Sequence, residues 1–247
     1  MKTSNKLILS VLAILLVSVT VYDFALKAEY LSGSYKNPFN GYASKTVKNF
    51  NEIEVDAINM LHVTIQQGDY SVHVAQDNTD SIKLTQTGNR LIVNVDFEKR
   101  AASDNPNVSH TNDIVIYCPR LTYIKTDEHH YSIPRKKMTN EQRYEVERGG
   151  RSVNLNSFIL DSLSIEQKTG SVKINGSKIG VLKSTAAARS RLHISDDTRI
   201  GQAEMHINDL SSLTFDKFNI PKFSYTLSDS ATITFTSKGH FFKELMK

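Results

Sequence analysis

Leu163-Ser164-Ile165-Glu166-Gln167-Lys168-Thr169-Gly170-Ser171-Val172-Lys173-Ile174-Asn175-Gly176-Ser177 holds two copies of one device: apolar, any residue, apolar, then a short polar turn. A period of two places both apolar members on one face of a short strand, and the turn supplies residue types that reverse the chain. The device recurs in Val153/Leu155, Ile179/Val181, Leu192/Ile194 (flanking His193), Met205/Ile207, Leu213/Phe215, Phe223/Tyr225 and Ile233/Phe235. Recurrence about every ten residues is the spacing of stacked short strands, so the pattern predicts an all-β solenoid. It defines an architecture and names no reaction.

Towards the N-terminus, Ile53/Val55, Leu61/Val63/Ile65, Val72/Val74, Ile82/Leu84 and Leu91/Val93/Val95 read as further strands, each alternating so that one face is buried and the other meets water. Gln67-Gly68-Asp69, Asp77-Asn78-Thr79-Asp80 and Thr87-Gly88-Asn89 are the turns between them. Polar insertions interrupt the pattern near 98–112 and 127–151, on either side of strands at 114–117 and 121–124. The second insertion carries His129-His130 and the basic residues Arg135, Lys136, Lys137, Arg143, Arg148 and Arg151, which read as a solvated loop. The solenoid domain is expected over 50–240. Phe241, Phe242, Leu245 and Met246 in the segment 241–247 are expected to cap its open end.

The N-terminus differs in kind. Lys2 and Lys6 precede residues 7–22, apolar apart from Ser10, Ser18 and Thr20, in the order of a secretory signal. With Phe24, Ala25 and Leu26 the run approaches the ~20 residues that cross a bilayer. Ala25 and Ala28 have Asp23 and Leu26 where a signal peptidase needs small residues. Residues 1–28 therefore read as an uncleaved signal anchor in preference to a removed signal peptide, with the positive end inside and the bulk exported. Residues 29–49, rich in Ser, Gly, Asn, Lys and Tyr, read as a linker.

Composition narrows the function classes. The chain has 247 residues, 39% hydrophobic and 23% charged, with a net charge of +4. That excess is too small and too dispersed to argue for nucleic acid on its own, and no nucleic-acid partner is expected. The single cysteine, Cys118, forms no intramolecular disulfide and reads as a buried small hydrophobe in front of Pro119. There is no Gly-rich phosphate loop, Gly-x-Ser-x-Gly elbow or Cys-x-x-Cys pair. His129-His130 beside Asp127 and Glu128 is the densest set of metal-ligand types, but adjacent residues rarely converge on one ion. His62, His73, His193 and His206 alternate with apolar residues and are expected on outward faces. A polysaccharide lyase would need acids and a basic residue together on neighbouring strands, and Arg189, Arg191, Asp196 and Asp197 are the nearest such set. No catalytic, cofactor or metal residue is expected.

The run Phe50-Asn51-Glu52-Ile53-Glu54-Val55, followed by Leu61-His62-Val63-Thr64-Ile65-Gln66-Gln67-Gly68-Asp69, Val72-His73-Val74 and Leu91-Ile92-Val93, resembles the opening of the family called "putative auto-transporter adhesin head domain", or GIN domain, common in Bacteroidetes envelopes. Thr169-Gly170-Ser171-Val172-Lys173-Ile174-Asn175-Gly176-Ser177 is similar to its turns, and the resemblance covers about residues 50–236. Ala186-Ala187-Ala188-Arg189-Ser190 and Ser195-Asp196-Asp197-Thr198 carry less glycine than those turns. The resemblance implies a right-handed β-helix-like stack and extracytoplasmic binding, and it brings no catalytic residues.

The expectation is a membrane-anchored, exported, non-enzymatic structural or adhesin-like module, periplasmic or on the cell surface, contacting glycan, peptidoglycan or an envelope protein. The alternative is a lyase-like enzyme on the same scaffold.

Overall fold

The structure is a computed structural model and describes residues 3–33, 36–96, 112–128 and 151–236, with Lys99, Lys137, Thr139 and Asn140. The pair His129-His130, the basic residues Arg135, Lys136, Arg143 and Arg148, nearly all of the insertion near 98–112 and the expected cap 241–247 lie outside the described residues. The chain divides into two compact units, Met1–Tyr42 and Ala43–Lys247.

The first unit is dominated by helix α1 (Thr3–Ser32). Its 28-residue segment Asn5–Ser32 is long and apolar enough to cross a membrane. The hydroxyls that interrupt the apolar run turn back onto the helix: Ser10 donates to the Lys6 carbonyl at 2.9 Å, Ser18 to Ile14 at 2.8 Å and Thr20 to Leu16 at 2.7 Å. Each polar group is thus satisfied within the helix, as an apolar surrounding demands. The helix continues past the expected boundary at 28, because Glu29, Tyr30 and Leu31 extend it with no breaker before Gly33. The stretch expected as a linker also carries a short strand, β1 (Tyr42–Lys45).

The second unit is built from two sheets. The nine-stranded sheet contains β1, β3 (Val63–Gln67), β4 (Ser71–Ala75), β7 (Ile114–Cys118), β9 (Val153–Asn156), β11 (Ser171–Asn175), β13 (Arg191–Ile194), β15 (Ser212–Phe215) and β17 (Thr232–Phe235). Its strand order is β1-β4-β7-β3-β9-β11-β13-β15-β17. The eight-stranded sheet contains β2 (Glu52–Val55), β5 (Ile82–Thr87), β6 (Arg90–Val95), β8 (Tyr123–Thr126), β10 (Ile159–Gln167), β12 (Lys178–Ala186), β14 (Arg199–Ile207) and β16 (Lys222–Leu227). Its order is β16-β14-β12-β10-β8-β2-β6-β5. Neither sheet closes into a barrel.

From β9 onwards the chain alternates between the sheets, and each strand lies parallel to the next strand of its own sheet. Val153, Val172, Leu192, Leu213 and Ile233 follow one another in register, as do Leu155, Ile174, Ile194, Phe215 and Phe235. Partners are separated by roughly 20 residues, which leaves room for the crossover that parallel pairing requires. At the far end the pattern changes. β4 runs antiparallel to β7, and β5 antiparallel to β6.

The core lies between the two sheets. Ile53, Ile65, Leu91, Ile116, Leu155, Ile165, Ile174 and Phe215 are each no more than 2% exposed within it. The expected clean alternation fails in the first strands, where Glu54, Thr64 and Val115 are also buried. Their outer faces are covered: Arg90 and Lys125 close over Glu54, and Thr64 donates to the Asn112 side chain at 2.6 Å.

The long strands β10, β12 and β14 also depart from a simple period of two. In β12, Ile179 and Leu182 face inward while Gly180 is exposed and Val181 only half-buried, so Ile179/Val181 is not an inward pair. β10 and β14 shift phase at the same register position, with Leu160 and Leu163, and Ile200 and Ala203, facing in. At this change of phase the strand backbones approach closely. A Cβ on Gly180 would sit 2.4 Å from the Asp161 carbonyl oxygen, and one on Gly201 would sit 2.8 Å from that of Gly180. Phe223/Tyr225 departs for another reason: β16 is an edge strand, and Tyr225 is 48% exposed.

Candidate functional site: a groove at the strand bend

The bend creates the candidate site. Ile159, Lys178 and Arg199 begin the three long strands in register, and the exposed glycines Gly180 and Gly201 follow two residues later without side chains. Low backbone beside projecting side chains leaves a groove of about 880 Å³. One side is formed by the turn Asp196-Asp197-Thr198 and another by Lys217, Asn219 and Pro221 before β16. Lys178, Arg199 and Lys217 supply cations, Asp161, Asp196 and Asp197 supply carboxylates, and Ile159 adds an apolar surface that is 71% exposed.

The turn is held rigidly. Asp197 accepts from the Ser195 hydroxyl and from the Gly176 N–H at 2.8 Å. Those hydrogen bonds hold its carboxyl below the ordinary aspartate value. A carboxylate so stabilised is a fixed acceptor and a poor general acid at neutral pH. The groove can therefore offer paired donors and acceptors to a polar ligand, with an apolar contact at Ile159. No nucleophile–base pair is assembled in it among the described residues.

Outside the groove, both sheets present polar ladders. On the eight-stranded sheet Arg90 donates to Glu52 at 2.8 Å and to Glu54 at 3.1 Å, and Lys125 closes on the other oxygen of Glu54. Burial pushes the Glu54 carboxyl up, but the bonds and charges of Lys125 and Arg90 outweigh it and hold the carboxyl below the ordinary glutamate value. Tyr123, in register with Glu52, lies under the Arg90 guanidinium at 5.1 Å and donates to Glu166 at 2.6 Å. Farther along, Glu204 meets Lys183 at 3.4 Å and His206 at 3.5 Å.

The structure separates the residues that a lyase would need together. Arg189 precedes β13 and Arg191 begins it, whereas Asp196 and Asp197 follow its far end. Three strand residues, Leu192 to Ile194, at ~3.3 Å each, and then Ser195 lie between the two groups. No ion pair joins either arginine to either aspartate among the described residues, and only the aspartates line the groove. Arg189 is left at a turn with positive φ, as are Ala188, Asp209 and Leu210. The low glycine content of these turns is thus met by non-glycine residues in left-handed conformations.

The described histidines, His62, His73, His193 and His206, are half-buried and engaged. His73 pairs with Ser44 at 3.2 Å, and burial lowers its pKa. His193 meets Asp216 at 2.9 Å, and His206 meets Thr226 at 2.7 Å. His62 precedes β3, with its backbone N–H on Asp113 at 2.7 Å. His193 and His206 stand on different sheets and share no groove. Asp127 pairs with Lys168 at 3.0 Å, and no cluster of metal-ligand types occurs among the described residues. Cys118 is fully buried, and burial pushes its thiol up to about 12, so it remains an inert thiol. Arg151, expected in a solvated loop, is instead buried and donates to the Asn59 carbonyl at 3.1 Å. Sequence reasoning missed Asp161, Lys178, Arg199 and Lys217. Their signal is the pair Lys178-Ile179-Gly180 and Arg199-Ile200-Gly201, a basic–apolar–glycine triplet repeated at the strand period.

Neither a protein-family model nor a curated protein sequence matches the chain. Among solved structures, the chain is similar to a protein named "putative adhesin" from Parabacteroides distasonis, with 15% identity, a TM-score of 0.52, and coverage of 78% of this chain and 71% of that one. It is also similar to a "putative adhesin" from Bacteroides fragilis, with 15% identity, a TM-score of 0.45, and coverage of 78% and 95%. A "putative lipid binding protein" from Parabacteroides distasonis has 12% identity, a TM-score of 0.38, and coverage of 79% and 96%. At these identities the first likeness establishes a shared fold.

Proposed function

We propose that the protein is a non-enzymatic binding module of the cell envelope, adhesin-like and of the GIN type, anchored by α1 and displaying its β unit outside the cytoplasm. The β unit is read as a right-handed β-helix-like solenoid, each pass of roughly 20 residues contributing one strand to each sheet. Its ligand is a polar polymer of the envelope, glycan or peptidoglycan, or a partner protein.

One observation carries this reading: the groove along Lys178, Gly180, Arg199 and Gly201 repeats the same chemistry on successive strands. Repetition at the ~4.8 Å strand spacing suits a ligand that itself repeats, and fixed donors and acceptors serve recognition. The sequence of β2 and β3 and the fold shared with a protein named as an adhesin support the same class.

The test is co-sedimentation of the detergent-solubilised full chain with peptidoglycan sacculi, together with a glycan array. Retention is expected, with the Lys178→Ala/Arg199→Ala variant losing tenfold or more in affinity at unchanged melting temperature. Failure of the wild-type chain to retain any envelope polymer or protein would sink the binding reading. Retention indifferent to the variant would move the site to the outer-face ladders.

A further inference from the structure

The charges that line the groove are unmatched. Among the described residues, Asp161, Asp196, Lys178, Arg199 and Lys217 make no ion pair and no side-chain hydrogen bond. On the sheet faces, by contrast, Lys83 pairs with Asp96, Lys183 with Glu204, and Arg90 and Lys125 with Glu54. Cations and carboxylates gathered in one groove, yet left unpaired, suit a ligand that brings both signs of charge. The floor between them is bare backbone. A Cβ on Gly180 would press on the Asp161 carbonyl oxygen and one on Gly201 on that of Gly180, so Asp161, Gly180 and Gly201 follow one another across β10, β12 and β14. Pro221 takes the next place, since Lys222 is in register with Gln202. Three strand spacings of ~4.8 Å make this floor about 14 Å long, and its glycines let another main chain come close.

We propose that the groove takes the peptide stem of peptidoglycan and not its sugar strand, with the free amine of the stem at Asp161 and its carboxylates at Lys178, Arg199 and Lys217. This rests on the envelope-binding reading above and narrows it to one part of one polymer. Charge makes the first selection. The sugar strand is N-acetylated and joined to its peptides through amides, so it brings no cation to Asp161, whereas a stem carries amino and carboxyl groups on one short chain. Length makes the second: an extended peptide advances ~3.3 Å per residue, so a floor of about 14 Å holds about four residues. Shape makes the third. The glycine floor admits a main chain, and Ile159, 71% exposed at its side, offers contact to an alkyl side chain. Asp196 is left to accept from the amide N–H groups of the stem.

The test is titration calorimetry of the full chain in detergent, with the N-acetylated tetrapeptide Ala-Glu-Lys-Ala as the probe. The wild type is expected to bind it, and to bind about fivefold more weakly once the lysine amine is acetylated or the carboxylates are amidated. Asp161→Asn is expected to bind the free and lysine-acetylated forms alike, and Lys178→Gln/Arg199→Gln the free and amidated forms alike, at unchanged melting temperatures. Chitotetraose, an uncharged N-acetylated sugar chain, is expected not to bind. If sacculi retain the wild type while chitotetraose is the only probe that binds, or while peptide binding ignores both lysine acetylation and Asp161→Asn, this assignment is overturned and the envelope-binding reading stands. A wild-type chain that binds no probe and is retained by no envelope polymer or protein overturns both.

Discussion

Gly180 is where one hydrogen atom decides the local structure. Its neighbour's carbonyl oxygen occupies the space that a methyl group would need, at 2.4 Å from the ideal Cβ position. That atom belongs to backbone and has no rotamer to yield, so the strands must part. Gly180→Ala is expected to cost about 2 kcal/mol, within the range for overpacked sites. For a β unit of this size that corresponds to a melting point lower by roughly 4–8 °C. Calorimetry of the full chain in detergent is the measurement, and an unchanged midpoint would mean that the strands do not approach this closely. The same residue explains a limit of the sequence reading. Ile179 and Val181 satisfy the two-residue period, yet the bend advances the phase by one, and Leu182 takes the inward place. A glycine is the only local sign, and glycine equally marks turns, so the composition at this point could not separate a bend from a strand end.

At the scale of elements, strands announced themselves where burial alone governs them. Val153/Leu155, Val172/Ile174, Leu192/Ile194 and Leu213/Phe215 fill two inward columns of one sheet, as their alternation demanded. The partition of strands between sheets, and the burial of Arg151, were hidden because both depend on long-range placement. So were the ion pairs that cover β2. Glu54 is 8% exposed and held as a carboxylate by Lys125 and Arg90. Since its folded pKa lies below its ordinary value, its contribution is complete above the ordinary glutamate range and is lost as the pH falls through the folded value. Unfolding measured from pH 7 down to pH 3 should show a shallower loss of stability for Glu54→Gln than for the wild type. Lys125→Met should cost about 1–3 kcal/mol at pH 7 by leaving a buried carboxylate short of one partner. A wild-type and a Gln variant with parallel pH profiles would refute the assignment.

For the whole molecule, the expectation that bears most on function concerns α1. The Ser10, Ser18 and Thr20 hydroxyls are satisfied internally, and the segment Asn5–Ser32 is long and apolar enough to cross the ~30 Å hydrocarbon layer, with its charged residues Lys6, Asp23, Lys27 and Glu29 towards the ends. The protein is expected in the membrane fraction of its native cells with its first residues retained, as mass analysis of the N-terminus would show. A mature N-terminus near residues 27–30, with the protein released on osmotic shock, would replace the anchor by a removed signal. Candidate anchor and candidate groove differ in how far the sequence revealed them. Hydropathy is a one-dimensional property and was legible. The groove exists only once Lys178 and Arg199 stand side by side, and no linear pattern measures that adjacency.

The antiparallel strands beside β7 and β6 give the array a direction. A duplicated pass can be spliced in anywhere between β10 and β16, adding one strand to each sheet while every parallel neighbour keeps an equivalent partner. The same splice beside β5 would have to invert a strand. The β unit can therefore be lengthened within its parallel region without inverting a strand, and not beside its antiparallel strands.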